Sequence, residues 1–160
     1  MNMTTAFSPV NATKKDLKGI SKLLKNYADM GNLLPRTDAD ILENINDFWV
    51  IREKNSTGSS IIACGALEQF TEELIEIRSL VVEPKTQGTG LGKLMVEALT
   101  KAAIQRGAKR LMALTYSVGF FQKLGFEVVD KDIFPEKIWS ICINCYKFNK
   151  CDEVAVVKYL

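Results

Sequence analysis

Gln87-Gly88-Thr89-Gly90-Leu91-Gly92 stands between two segments of opposite periodicity. Before it runs a strand-like stretch, Leu74-Ile75-Glu76-Ile77-Arg78-Ser79-Leu80-Val81-Val82, closed by Glu83-Pro84. After it, apolar residues recur at Leu91, Leu94, Met95, Ala98 and Ala102, the spacing of one helix face. The glycines therefore mark the point where a strand turns into a helix. At such a point the first helical N–H groups lack intrahelical acceptors, and the helix dipole adds partial positive charge. Glycine lets a ligand approach the backbone closely, so the exposed amides can grip an anion such as a pyrophosphate.

Three glycine patterns compete for this loop. A nucleotide-hydrolase phosphate loop needs a Lys-Ser or Lys-Thr pair after its last glycine, and none follows here. The dinucleotide fingerprint needs G-x-G-x-x-G after the first strand of a βαβ unit, whereas Gly88, Gly90 and Gly92 read G-x-G-x-G with about half the chain behind them. The third pattern is Q/R-x-x-G-x-G/A, which Gln87, Gly90 and Gly92 match position for position. That pattern is the acetyl-coenzyme-A loop of the GNAT superfamily of N-acetyltransferases, which this region resembles. A second segment, Phe120-Phe121-Gln122-Lys123-Leu124-Gly125-Phe126, is similar to the F-Y/F-x-K-x-G-F stretch of the same superfamily. Three further stretches, Leu33-Leu34-Pro35-Arg36, Glu76-Ile77-Arg78-Ser79-Leu80 and Phe134-Pro135-Glu136-Lys137, resemble the acetyltransferase domain of N-acetylglutamate synthases, in short stand-alone forms.

Composition sets the bounds. A chain of 160 residues, 47% apolar and 25% charged, reads as one globular domain over residues 1–160. A net charge of +2 without blocks of like charge argues against nucleic-acid or membrane partners. The N-terminus has no basic region leading into an apolar core, so the expected location is the cytoplasm. Histidine is absent, which removes the commonest general base and the commonest metal ligand.

Along the chain, Thr13-Lys14-Lys15-Asp16 has the form of a capping box, with Leu17, Ile20, Leu23, Leu24 and Tyr27 on one helix face and Gly31 as its stop. Thr37 caps a second helix carrying Ile41, Leu42 and Ile45. Residues 48–52 and 61–68 read as a hairpin, 110–116 as a strand, 118–124 as a short helix, and 126–129 and 154–159 as strands. The order βααβββαβαββ gives an α/β (α+β) fold with a mixed sheet and helices on both sides. The GNAT resemblance implies that this sheet is mostly antiparallel, with about six to seven strands.

The resemblance also distributes roles. The donor would be acetyl-CoA: its pyrophosphate on the amides of Gly88, Thr89, Gly90, Leu91 and Gly92, with Gln87 and Lys93 as side-chain partners, and its pantetheine arm along the backbone of Leu80, Val81 and Val82. Glu76 is the first choice of general base. Glutamate side chains titrate at about pH 4.3, so such a carboxylate is a weak direct base and suits relay through water. Its other reading is a solvated strand pair with Arg78, two residues away on the same face. Phe121 occupies the position where many superfamily members carry a proton-donating Tyr, which leaves Thr115, Tyr116 and Ser117 as substitutes.

An acidic acceptor needs cations. Arg78 offers a planar fork for a carboxylate, and the resemblance adds Arg36 and Lys147, each with a plain surface-charge alternative. The implied reaction is N-acetylation of a free amino acid, L-glutamate first, as in arginine biosynthesis. Other small amines, a peptide N-terminus, a lysine, or a non-catalytic acetyl-CoA sensor remain open. Cys142, Cys145 and Cys151 have a spacing seen in zinc or iron–sulfur sites but lack a fourth ligand unless Cys64 or Asp152 supplies it, so the expectation is no metal. The superfamily often forms homodimers.

Overall fold

The computed structural model describes residues 7–29, 36–55, 58–130, 133 and 153–160. In chain order the elements are β1 (Val10–Asn11), α1 (Leu17–Asp29), α2 (Asp38–Glu43), β2 (Phe48–Asn55), β3 (Gly58–Gln69), β4 (Leu74–Val82), α3 (Leu91–Gln105), β5 (Arg110–Thr115), α4 (Val118–Lys123), β6 (Glu127–Val129) and β7 (Val154–Tyr159). This is the order read from the sequence. Among the described residues the strands form a seven-stranded sheet, β1-β2-β3-β4-β5-β7-β6, mostly antiparallel with a parallel step from β4 to β5. No described helix is long and apolar enough to cross a membrane. The chain divides into two compact units, residues 1–67 with 77–102, and residues 68–76 with 103–160.

In the first unit the apolar stripe of α1 behaves as its spacing requires. Ile20, Leu23 and Leu24 are buried with Ile41 and Ile45 against Phe48, Val50, Cys64, Ala66 and Val81 of the strands. Side chains of this kind each stabilise the fold by about 1.5–3 kcal/mol when fully buried. The β2–β3 ladder pairs Ile51 with Ala63 and Arg52 with Ile61, so Ile62 is an extra residue. One extra residue turns the following side chains to the opposite face. Ile61 accordingly packs against Gly19 of α1, while Gly65 lies beneath α3, where an added Cβ would come within 2.8 Å of Leu99 Cδ1. The missing side chain lets α3 sit close on β3, which fixes where the start of that helix stands.

In the second unit, Leu74, Met112, Ala155 and Val157 form the core, flanked by Phe70, Leu114 and Val129. The helices α3 and α4 both end at a glycine, in the same form. Ala108 N–H reaches the Ala103 carbonyl at 3.1 Å and Gly107 N–H the Ile104 carbonyl at 2.9 Å. After α4, Phe126 and Gly125 make the equivalent bonds to Phe121 and Gln122, both at 3.1 Å. Phe126, expected to begin a strand, is instead held edge-on against Phe121 at 5.1 Å, and β6 starts one residue later.

The capping box at the start of α1 is tighter than a helical one. Residues Lys14–Asp16 form a 3-10 turn, with Thr13 N–H donating to Asp16 Oδ2 at 2.8 Å. Asp16 also accepts from Arg52 Nε at 3.1 Å and Nη2 at 2.6 Å, a two-pronged pair. Burial pushes the Asp16 carboxyl up, but the Arg52 guanidinium and the Thr13 amide outweigh it and hold it below the usual value. A depressed carboxyl contributes stability that is complete above the unfolded value of about 3.9 and is lost as pH falls through the folded one. Asp16→Asn should therefore lower stability at pH 7 by about 1–3 kcal/mol, with the gap from wild type closing towards acid. Urea titrations at neutral and acid pH measure this; a gap of constant size would mean that the ion pair contributes nothing.

Candidate active site

The glycine loop is built by short-range bonds. Pro84–Thr86 make a 3-10 turn after β4, Thr86 N–H and Oγ1 both donate to the Glu83 carbonyl at 2.9 Å, and Thr89 Oγ1 donates to the Thr86 carbonyl at 2.5 Å. Gly88 and Gly90 then take φ values of +82° and +89°. Side chains are strained there, whereas glycine is not. The first ladder bond entering α3 runs from Leu94 N–H to the Gly90 carbonyl at 3.1 Å. The amides from Gly88 to Lys93 precede it and have no intrahelical acceptor, the arrangement that binds anions at helix N-termini. Lys93 is exposed and lies 4.0 Å from Glu97, too loose a pair to lock the ammonium.

Gln87 is exposed, and its side-chain amide donates to the Val82 carbonyl at 3.1 Å and to the Tyr27 hydroxyl, which itself donates to Val82 O at 2.7 Å. The sequence pattern places Tyr27 only on the apolar face of α1.

β4 is not a regular strand. Ser79 has φ +55°, a left-handed residue in mid-strand. Such a conformation costs on the order of 1–2 kcal/mol for a non-glycine residue and persists only where its surroundings hold it. Here Arg36 Nη1 donates to Ser79 Oγ at 3.0 Å, and the buried Cys64 thiol donates to the Ser79 carbonyl at 3.4 Å. Burial pushes the Cys64 thiol up to about 12, so it remains a thiol. Arg36 is no surface charge: its side chain is 7% exposed, paired to Asp40 at 2.7 Å and 5.1 Å above the Phe48 ring. The single sequence hint of the kink was Ser79 itself, one small polar residue interrupting the run from Leu74 to Val82.

In the second unit, Glu76 is 2% exposed and pairs with Met112. That pair is the last of the three in the parallel β4–β5 ladder, so Glu76 stands where the ladder stops. Thr115 lies three residues beyond Met112 along β5, about 10 Å further at strand spacing. Its Oγ1 accepts from the Ser117 N–H at 2.8 Å, which leaves its own O–H to donate elsewhere. Ser117 is exposed at the start of α4, with no side-chain capping bond. Phe121 is buried, edge-on to both Phe120 and Phe126.

Arg78 is half-buried on β4, and Leu80 and Val82 are half-buried beside the buried Val81. Lys147, Cys142, Cys145, Cys151 and Asp152 lie outside the described residues, as do Gly31, the stretch 33–35 and the stretch 134–137. Among the described residues no group of three or more Cys, Asp or Glu is arranged to hold a metal.

In this chain a strand that kinks at Ser79 leads into a glycine turn and the start of α3. The chain belongs to the acetyltransferase (GNAT) family, whose model matches residues 20–126, and it is accordingly an acyltransferase. An N-acetyltransferase of Chlorobaculum tepidum is 38% identical over 150 residues, 94% of each chain. The amino-acid acetyltransferase of Escherichia coli K12 is 35% identical over 127 residues, which is 78% of this chain and 28% of that protein. Among solved structures, N-acetylglutamate synthase from Neisseria gonorrhoeae, complexed with coenzyme A and N-acetyl-glutamate, superposes with a TM-score of 0.84 at 26% identity. The match covers 96% of this chain and 35% of the synthase, so this chain spans about a third of those longer proteins.

Proposed function

We propose that this chain transfers the acetyl group of acetyl-CoA to the α-amine of a free amino acid, with L-glutamate the first acceptor to test. The observation that carries the reading is the row of amides from Gly88 to Lys93 at the start of α3, with no intrahelical acceptors and with glycines at positive φ beside them. The E. coli and Neisseria relatives, named for amino-acid acetylation and N-acetylglutamate synthesis, support the acceptor class. In arginine biosynthesis this would be the first step, and the expected compartment is the cytoplasm.

In this reading the donor's diphosphate rests on the loop and its pantetheine arm runs along Leu80–Val82. Glu76, directly or through water, takes the proton of the acceptor ammonium. The neutral nitrogen attacks the thioester carbonyl, forming the C–N bond. A backbone N–H after the Ser79 kink holds the oxyanion, and losing such a donor typically costs about 10²–10³ in rate. Collapse breaks the C–S bond; the thiolate takes a proton from Thr115, Ser117 or water, and the second proton that the acylated nitrogen gives up replaces it. Arg36, Arg78 and Lys147 are the proposed carboxylate partners. Phe121, with no proton to give, is the one observation favouring a non-catalytic acetyl-CoA sensor.

Screening free amino acids by coenzyme A release tests the whole reading. Glutamate should be turned over, and donor binding with no turnover on any amine would favour the sensor. Arg78→Ala should lower kcat/KM for glutamate about 10–150-fold, the loss of a charge-assisted bond to a carboxylate. Arg78→Lys should recover part of it, since the charge remains and the fork does not. Equal losses on glutamate and on neutral acceptors would make Arg78 structural.

A further inference from the structure

We propose that Tyr27 is a positioning residue of the donor site, pinning the exit of β4 to the first residue of the glycine loop. This rests on the reading of that loop as the acetyl-CoA site. The Val82 carbonyl is the last of β4; Gln87 opens the loop, five residues on. The bonds that shape the intervening turn span three residues or fewer, so they set its form but not its placement. Among the described residues, bonds reach it from elsewhere at two places: Glu83 N–H to the Ile62 carbonyl at 2.8 Å, ahead of the turn, and the Tyr27 cluster after it.

The cluster is closed. Tyr27 gives its one proton to Val82 O and accepts from the Gln87 amide, and Gln87 gives its second proton to the same carbonyl, filling both lone pairs. The Gln87 orientation follows from chemistry, because its oxygen could not face the Val82 carbonyl. Burial raises the Tyr27 hydroxyl above its usual value despite the Gln87 donor, so it stays a proton donor at physiological pH. A donor molecule that carries a diphosphate at one end and a thioester at the other needs loop and strand in fixed register. Among the described residues, Tyr27 of α1 supplies the non-local hydrogen bonds that set this register on the loop side.

The test compares two donors on wild type and Tyr27→Phe, which keeps the ring on the α1 core face. Wild type should bind acetyl-CoA by calorimetry. Tyr27→Phe should raise Kd and KM for acetyl-CoA about 5- to 10-fold, the effect of one neutral hydrogen bond. Its kcat should change less than about twofold, and its KM for S-acetylpantetheine, which lacks the diphosphate, should hold. Gln87→Leu combined with Tyr27→Phe should cost less than the two single effects multiplied, because they share one acceptor. Unchanged KM for acetyl-CoA in Tyr27→Phe would overturn the positioning role while leaving the donor site standing. Equal rises for both donors would make Tyr27 merely structural and overturn it too. Failure of wild type to bind acetyl-CoA would overturn both readings.

Discussion

Gly90→Val should weaken acetyl-CoA binding by at least about two orders of magnitude, the loss expected when two charge-assisted bonds to the diphosphate are removed. Two effects act together. At φ +89° a β-branched residue is strained, so the loop must move and with it the amides from Gly88 to Lys93. The new side chain also stands where the anion approaches. Gly107→Val separates strain from ligand contact, since Gly107 has φ +88° at the end of α3 with nothing within 4 Å of an added Cβ. That variant should lose stability and keep its affinity for acetyl-CoA. Calorimetry on both, with circular dichroism to confirm folding, decides the matter. A folded Gly90→Val protein of wild-type affinity removes the coenzyme from this loop.

Glu76→Gln should lower kcat on the order of 10²-fold, the lower range expected for loss of a general base. The change is close to isosteric, which matters at a position 2% exposed, where a smaller side chain would add a packing defect to the chemical one. Affinity for acetyl-CoA should hold, because the loop and the Leu80–Val82 backbone are untouched. Near wild-type kcat in this variant would make Glu76 a bystander and shift the search for the base to another group or to ordered water.

Much of the fold was legible because its determinants are local. Thr37 accepts from the Asp40 N–H at 3.1 Å as a cap must, and the residues that end α3 and α4 are glycines, Gly107 and Gly125. The α1 stripe faces the core that its spacing selects. Strand limits were less exact: β3 begins at Gly58 rather than at residue 61, because pairing with β2 continues past the point where apolar alternation fades. The bulge at Ile62 left no mark in the sequence, since an extra residue is defined only against its partner strand.

The site divides along the same line. The strand–glycine–helix junction and the class of ligand it suits follow from neighbouring residues alone, because backbone freedom and helix-end amides are properties of a few consecutive positions. The left-handed turn at Ser79, the burial of Arg36 and the use of Gln87 follow from side chains arriving from far along the chain. Arg36 is 43 residues from Ser79, and Tyr27 is 55 from Val82. No window of sequence contains both partners of such a bond. Their meeting is decided by how α1 and α2 pack on the sheet, so only the tertiary structure brings Ser79 and Tyr27 into the candidate site.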